Sequence, residues 1–350
     1  MTSSDADAVI DGPRRAAQSG IDSSPTEVPA RSPSGRLPDF FIVGHPKCGT
    51  TALWEMLRAH PQLYMPDLKE PWFLASDMLP RFQPPRAAPP LQTLEEYRAL
   101  FAEAGPEQRA GEASSSYLLS ETAATEIATL CPDARIIAIL REPASFLRSL
   151  HMQLLRTHVE TEKDLRHALE LEAPRRAGKK VPRRSHRPQL LHYSQHVRYV
   201  EQLERYKAVL PAEKMLVLVY DDFRHDNEGT VRSVFRFLDV DDRAPVAAQD
   251  ANPTRQRIRS QLVDDMVNVV SVGRGAPARA LKAGIKALTT DELRSGALRV
   301  TRRHVIHGKP GPADEELMRE LRVRFKSEVL ALSEYLDRDL VTLWGYDRGD

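Results

Sequence analysis

Three short apolar runs punctuate the chain: Phe40–Val43, Arg135–Leu140 (R-I-I-A-I-L) and Lys214–Tyr220 (K-M-L-V-L-V-Y). None alternates with polar residues, so each predicts a strand buried on both faces, the mark of a parallel sheet. Between and after them the apolar spacing turns helical. Thr50–Ala59 carries Leu53 and Leu57 four residues apart and stops before His60-Pro61. Thr122–Leu130 stops at Cys131-Pro132, and Pro143–His158 opens with proline in the first turn, where its missing N–H costs least. His192–Leu210 places Tyr193, Val197, Val200, Leu203 and Tyr206 on one helical face, and Glu228–Leu238 and Glu315–Leu336 complete the set. Strands alternating with helices predict a three-layer α/β fold, a parallel central sheet flanked by helices with right-handed crossovers.

The first strand runs into the loop Gly44-His45-Pro46-Lys47-Cys48-Gly49-Thr50-Thr51, which opens the Thr50 helix. A strand, a glycine turn and a helix start bring unpaired N–H groups and the positive end of the helix dipole to one point, which suits a phosphate. The nucleoside-triphosphatase spacing places lysine directly after the second glycine. Here Thr50 holds that position and Lys47 lies upstream, so the loop is poorly built to bridge β- and γ-phosphates with a metal. Without a ligand, Thr50 would be no more than a helix cap after a surface turn. Arg141 leaves the second strand at its C-terminal end, where ligands bind in such sheets. Its guanidinium can grip a phosphate bidentately, and Ser149, two turns into the next helix, reaches the same phosphate. Pairing of Arg141 with Glu142 or a loop carboxylate is the bland alternative.

The displaced-lysine loop resembles the 5′-phosphosulfate loop of sulfotransferases that use 3′-phosphoadenosine 5′-phosphosulfate (PAPS). Two further segments carry the likeness. Leu140-Arg141-Glu142-Pro143 followed by Ser149 is similar to that family's 3′-phosphate motif, and Lys69-Glu70-Pro71-Trp72-Phe73 to the K-E-x-x-F segment of its carbohydrate-modifying, heparan-type branch. The likeness spans about residues 39–345 and implies the P-loop-kinase-like sulfotransferase fold. It also implies roles. Lys47 acts as the catalytic cation, and Cys48, Gly49, Thr50, Thr51, Arg141 and Ser149 hold PAPS. Glu70 takes the acceptor's proton. No metal is implied, because the sulfuryl group carries less charge than a transferred phosphoryl group. A small-molecule or saccharide acceptor completes the picture.

Two segments depart from the family pattern. Glu112-Ala113-Ser114-Ser115-Ser116-Tyr117 is similar to E-K-x-x-x-Y with Ala113 in place of lysine. Asn252-Pro253-Thr254-Arg255 is similar to the N-x-T-K entry of a loop over the nucleotide, with Arg255 or Arg257 as the substitute cation. His45 lies near the sulfate position without a firm role, and His151 reads as a satisfied surface histidine. Cys48, beside Lys47 and among unpaired N–H groups, is expected to have a lowered thiol pKa.

Composition adds bounds. The first 37 residues are rich in Ser, Pro, Ala, Asp and Arg without apolar periodicity and read as a disordered tail before a sulfotransferase domain at 38–350. Lysine and arginine number 50 against 49 acidic residues, so nothing draws the chain to nucleic acid in bulk. The basic run from Arg175 to Arg187 reads as a solvated face rather than an anion attractor. Two cysteines give no disulfide framework or zinc spacing. No apolar run is long enough for stable membrane insertion, and a cytoplasmic, bacterial setting is expected. The rival reading is a metal-dependent nucleotide kinase, supported by Met215–Asp222, an apolar strand ending in two aspartates. A non-enzymatic nucleotide-binding adaptor is the other.

Overall fold

The computed structural model describes residues 35–82, 90–246, 257–258, 307–308 and 313–347. Five parallel strands form the central sheet: β1 (Phe40–Gly44), β2 (Leu63–Tyr64), β3 (Arg109–Ala113), β4 (Arg135–Leu140) and β5 (Met215–Val219), in the order β2-β3-β1-β4-β5. The three apolar runs supply β1, β4 and β5, each within a residue or two of its expected bounds. β1 is wholly buried, and so is β4 apart from its first residue. Phe41 and Ile42 pair with Ile136 and Ile137 on one side and with Glu112 and Ala113 on the other.

β2 and β3 lack an apolar run. β3 reads R-A-G-E-A, and its glycine has a packing reason: a Cβ at Gly111 would lie 2.1 Å from the Phe40 ring. Phe40 thus fills the space that the Gly111 side chain leaves empty.

The helices are α1 (Thr50–Arg58), α2 (Leu94–Ala99), α3 (Ala123–Leu130), α4 (Pro143–Arg156), α5 (Leu165–Glu170), α6 (Glu172–Arg176), α7 (Tyr199–Lys207), α8 (Tyr220–His225), α9 (Asn227–Phe237), α10 (Glu315–Tyr335) and α11 (Leu340–Trp344). α1 packs with α9, whereas α4 and α7 pack with α10 and α3 with α7. Two helix groups are what right-handed crossovers on both faces of a parallel sheet produce. A two-stranded antiparallel ribbon, β6 (Arg257–Ile258) with β7 (His307–Gly308), lies with β6 against α4.

The long helix expected over His192–Leu210 is broken. Tyr193–Val197 is a 3-10 turn, Arg198 leaves helical geometry (φ −79°, ψ 62°), and α7 follows. The Gln202 side chain satisfies the interrupted backbone by donating to the Gln195 carbonyl at 2.6 Å. Tyr193, Val197, Leu203 and Tyr206 face inward all the same. Among the described residues, no helix is long and apolar enough to cross a membrane.

Candidate active site

β3, β1 and β4 are neighbours, and all three end at the same edge of the sheet. The loop after β1 carries Lys47, the residue after β4 is Arg141, and the turn after β3 holds Glu70.

The β1–α1 loop fits an anion. Lys47 takes a left-handed backbone (φ 65°), rare for a side-chain-bearing residue and concentrated at functional sites. Gly49 is left-handed too (φ 88°), and a Cβ there would sit 2.9 Å from the Phe223 ring, so only glycine fits. No side chain caps the first turn of α1, where Thr50 is buried and Thr51 exposed. The Lys47 ammonium pairs with no carboxylate among the described residues. Burial lowers its pKa to about 8, and the Arg156 and Arg141 cations push in the same direction. A half-buried ammonium with cations for neighbours is stabilised by an incoming anion.

Arg141 is fixed on three sides. Its Nη1 donates to the Lys47 carbonyl at 3.1 Å, its Nε to the Ser145 hydroxyl at 3.0 Å, and its guanidinium covers the Tyr220 ring at 4.8 Å. Tyr199 donates to the Arg141 carbonyl at 2.8 Å. The expected competitor, Glu142, is occupied elsewhere. It caps α4 through the Ala144 and Ser145 amides and accepts the Tyr346 hydroxyl at 2.7 Å. Arg141 therefore pairs with no carboxylate among the described residues. Ser149 is buried on α4, one turn beyond Ser145. Ser145, Tyr220 and Tyr199 were missed in the sequence; only Ser145, four residues from Arg141 at helical spacing, left a signal there.

Glu70 is held by three donors. Its Oε1 accepts the Lys69 ammonium at 2.9 Å and the Ser115 hydroxyl at 2.7 Å, and its Oε2 accepts the Trp72 indole N–H at 3.2 Å. Its amide donates to the Ala113 carbonyl, the last residue of β3, at 2.9 Å. Both Glu70 and Trp72 are left-handed (φ 60° and 59°). Arg187 lies over the Trp72 ring at 3.9 Å and donates from Nε to the Met78 carbonyl. The two halves of the site touch. A Cβ at Gly44, which leads into the Lys47 loop, would lie 3.2 Å from the Ser115 carbonyl, and Ser115 holds Glu70.

Several expectations need correction. Cys48 is fully buried, its Sγ faces the Pro46 carbonyl at 3.6 Å, and burial pushes the thiol up to about 12 against the pull of Arg141 and Lys47. It is not an activated thiol. His151 is satisfied, with Nε2 at 2.8 Å from the Glu162 carbonyl, but buried rather than on the surface. His45 is fully buried, 2.6 Å from Gln202 Oε1, and burial lowers it to about 4. The basic run divides. Lys179, Lys180, Arg183 and Arg184 are exposed, whereas Arg175 is buried against Glu160 through two bonds of 2.7 Å and Arg187 covers Trp72. The aspartates behind the kinase reading are engaged in packing. Asp221 accepts the Trp344 indole at 2.9 Å, and Asp222 pairs with Arg338. Asn252–Arg255 lies outside the described residues. For Arg257 only the backbone is described, in β6 beside α4.

Comparison with known proteins identifies the family. The family model described as "Sulfotransferase family" matches residues 38–244. A crystal structure of a sulfotransferase from Alicyclobacillus acidocaldarius superposes with a TM-score of 0.63 at 25% identity, covering 88% of this chain and 99% of that one. Carbohydrate sulfotransferase 15 of Homo sapiens, like that of Mus musculus, is 54% identical over 35 residues. That stretch is 10% of this chain and only 6% of either relative. With more than half of its length matched, and with the parallel sheet of its structural neighbour, the chain belongs to the sulfotransferase family and is an enzyme.

Proposed function

We propose that the domain, taken as residues 38–350, transfers a sulfuryl group from PAPS to a hydroxyl, or secondarily an amine, of a sugar, lipid or secondary-metabolite acceptor. A cytoplasmic setting belongs to the same reading. The observation that carries it is a division of charge at one sheet edge. Among the described residues, Lys47 and Arg141 stand without carboxylate partners on the β1 and β4 side, and a carboxylate held by three donors, Glu70, stands on the β3 side.

The chemistry follows. The acceptor oxygen attacks sulfur as the bond from sulfur to the 5′-phosphate oxygen breaks in line, and the charge on that oxygen rises. Lys47 and the first-turn amides of α1 would stabilise it. Glu70 would accept the acceptor's proton as the new oxygen–sulfur bond forms, and adenosine 3′,5′-bisphosphate departs. Arg141, with Ser149 on the helix that follows it, would hold the 3′-phosphate, and Thr50 and Thr51 the 5′-phosphate. Cys48 and Gly49 would shape that loop through their backbone. Arg255 or Arg257 would close over the nucleotide. No metal ligand set enters the scheme.

The test is a mass-spectrometric screen of hydroxyl-bearing acceptors, each incubated with protein and PAPS. The expected result is a gain of one SO3 group on at least one acceptor, with release of adenosine 3′,5′-bisphosphate. PAPS left intact across sugars, lipids and phenolic metabolites alike would contradict the proposal.

A further inference from the structure

Among the buried titratable groups that the proposed chemistry does not use, Glu112 lies nearest in the hydrogen-bond network to the Glu70 segment. Glu112, in β3, is fully buried. Its Oε2 accepts the hydroxyls of Tyr97 at 2.8 Å and Tyr117 at 3.0 Å, while Oε1 is buried without a hydrogen-bond partner. The Tyr117 oxygen in turn accepts the Leu74 amide at 3.0 Å. A directed chain therefore runs from the Leu74 N–H through Tyr117 to the Glu112 carboxyl.

The same strand and its following turn hold the rest of the Glu70 segment. Glu70 donates its amide to Ala113, and Trp72 donates its amide to the Ser114 hydroxyl at 3.3 Å. Phe73 stacks on Tyr97 with centroids 4.5 Å apart and planes 13° from parallel. Left-handed backbone at Glu70 and Trp72 persists only where the surroundings over-determine it. Glu112 anchors both tyrosines of that surround.

We propose that Glu112 is a positioning residue for Glu70, acting through Tyr97 and Tyr117 to hold the Glu70–Leu74 segment in its left-handed path. The proposal rests on the reading of Glu70 as the base. It also makes the segment sensitive to pH. Burial raises the Glu112 pKa to about 7, with the Glu70 charge adding to the rise and hydrogen bonds from neighbouring hydroxyls opposing it. The groups facing Glu112 are Tyr97 on α2, Tyr117 in the turn, Tyr206 on α7, Cys131 after α3, and Glu70. The tyrosines are raised well above their ordinary value and the Cys131 thiol to about 12, so they stay neutral around pH 7. An ionised Glu112 draws charge-assisted bonds from both tyrosines, and its protonation weakens them. Turnover should therefore rise as pH increases through about 7.

Glu112→Gln keeps the shape and removes the titration. Two readouts test it. In wild type, without substrates, Trp72 fluorescence should change with a midpoint near pH 7, because its indole hydrogen-bonds to Glu70. That transition should vanish in Glu112→Gln and in Trp72→Phe. In turnover at pH 8, Glu112→Gln should lower kcat about tenfold, with the KM for PAPS changed less than about twofold. If Glu112→Gln fails to fold, Tyr117→Phe severs the same chain and should give the same split between kcat and KM. A Glu112→Gln or Tyr117→Phe enzyme with wild-type kcat overturns the proposal, as does a fluorescence transition that survives Glu112→Gln. If wild type transfers no sulfuryl group, the reading of Glu70 falls, and the substrate-free fluorescence still decides whether Glu112 governs that segment.

Discussion

The two halves of the site treat charge in opposite ways. On the β1 and β4 side, Lys47 and Arg141 are cations without carboxylate partners among the described residues, and Arg141 is steadied by a backbone carbonyl, a serine and a ring. On the β3 side, Glu70 is held by an ammonium, a hydroxyl and an indole N–H, with acceptor capacity left on Oε2. The cationic half is incomplete until an anion arrives. The anionic half has its positioning donors in place before any substrate arrives. A binding site gains affinity from groups left unpaired, whereas a base gains rate from being held in one place. On the proposed function, that contrast divides the work between PAPS recognition and proton removal.

Glu70 should give the largest effect. Glu70→Gln should lower kcat by about 10²–10⁴-fold with little change in nucleotide affinity, because a general base acts only in the chemical step. Steady-state turnover with parallel nucleotide calorimetry checks it. Near-normal turnover would transfer the role of base to another group and dissolve the division.

The structural support beneath Glu70 should show next, as stability. The folded Glu112 pKa, about 7, lies above its ordinary 4.5. A raised carboxyl contributes stability that is fully present below about pH 4.5 and lost as pH rises through about 7. Wild type should therefore lose up to about 3 kcal/mol relative to Glu112→Gln between pH 4.5 and pH 8. Urea unfolding of both proteins across that range measures the difference. A constant gap would mean that Glu112 titrates alike in the folded and unfolded chain, so that burial does not raise its pKa.

On the cationic side the expected effect is smaller. With its pKa near 8 in the free protein, Lys47 is about half protonated at pH 8, and a bound phosphate favours the charged form. Binding of adenosine 3′,5′-bisphosphate at pH 8 should take up about 0.5 proton, measurable by calorimetry in buffers of different ionisation enthalpy. Lys47→Ala should abolish the uptake. No uptake in wild type would place Lys47 away from the anion.

The two halves also differed in how well the sequence announced them. β1, β4 and β5 are strongly apolar because both faces are buried, so their positions, and the loops leaving them, could be read directly. β3 could not. Gly111 has no side chain because Phe40 occupies its place, and Glu112 is a buried acid whose Oε2 is bonded by Tyr97 and Tyr117, partners that no strand pattern announces. The motif residues Lys47, Glu70 and Arg141 were legible, but their surroundings were not. Neighbours in sequence made Cys48 look electropositive, yet burial decides its chemistry. The break before α7 was hidden because the apolar spacing continues through it, while the Gln202 contact that satisfies it is polar.

Nucleotide calorimetry tests the central division most directly. If Arg141 holds a 3′-phosphate, the protein should bind adenosine 3′,5′-bisphosphate about 10–150-fold more tightly than adenosine 5′-monophosphate, the worth of a charge-assisted bidentate contact of roughly 1.5–3 kcal/mol. Arg141→Ala should erase most of that preference and leave the monophosphate almost unaffected, and EDTA should change neither value. Equal affinity of wild type for the two nucleotides would contradict a 3′-phosphate site at Arg141, and tight ATP binding that requires magnesium would contradict the sulfuryl-donor reading of the whole cationic half.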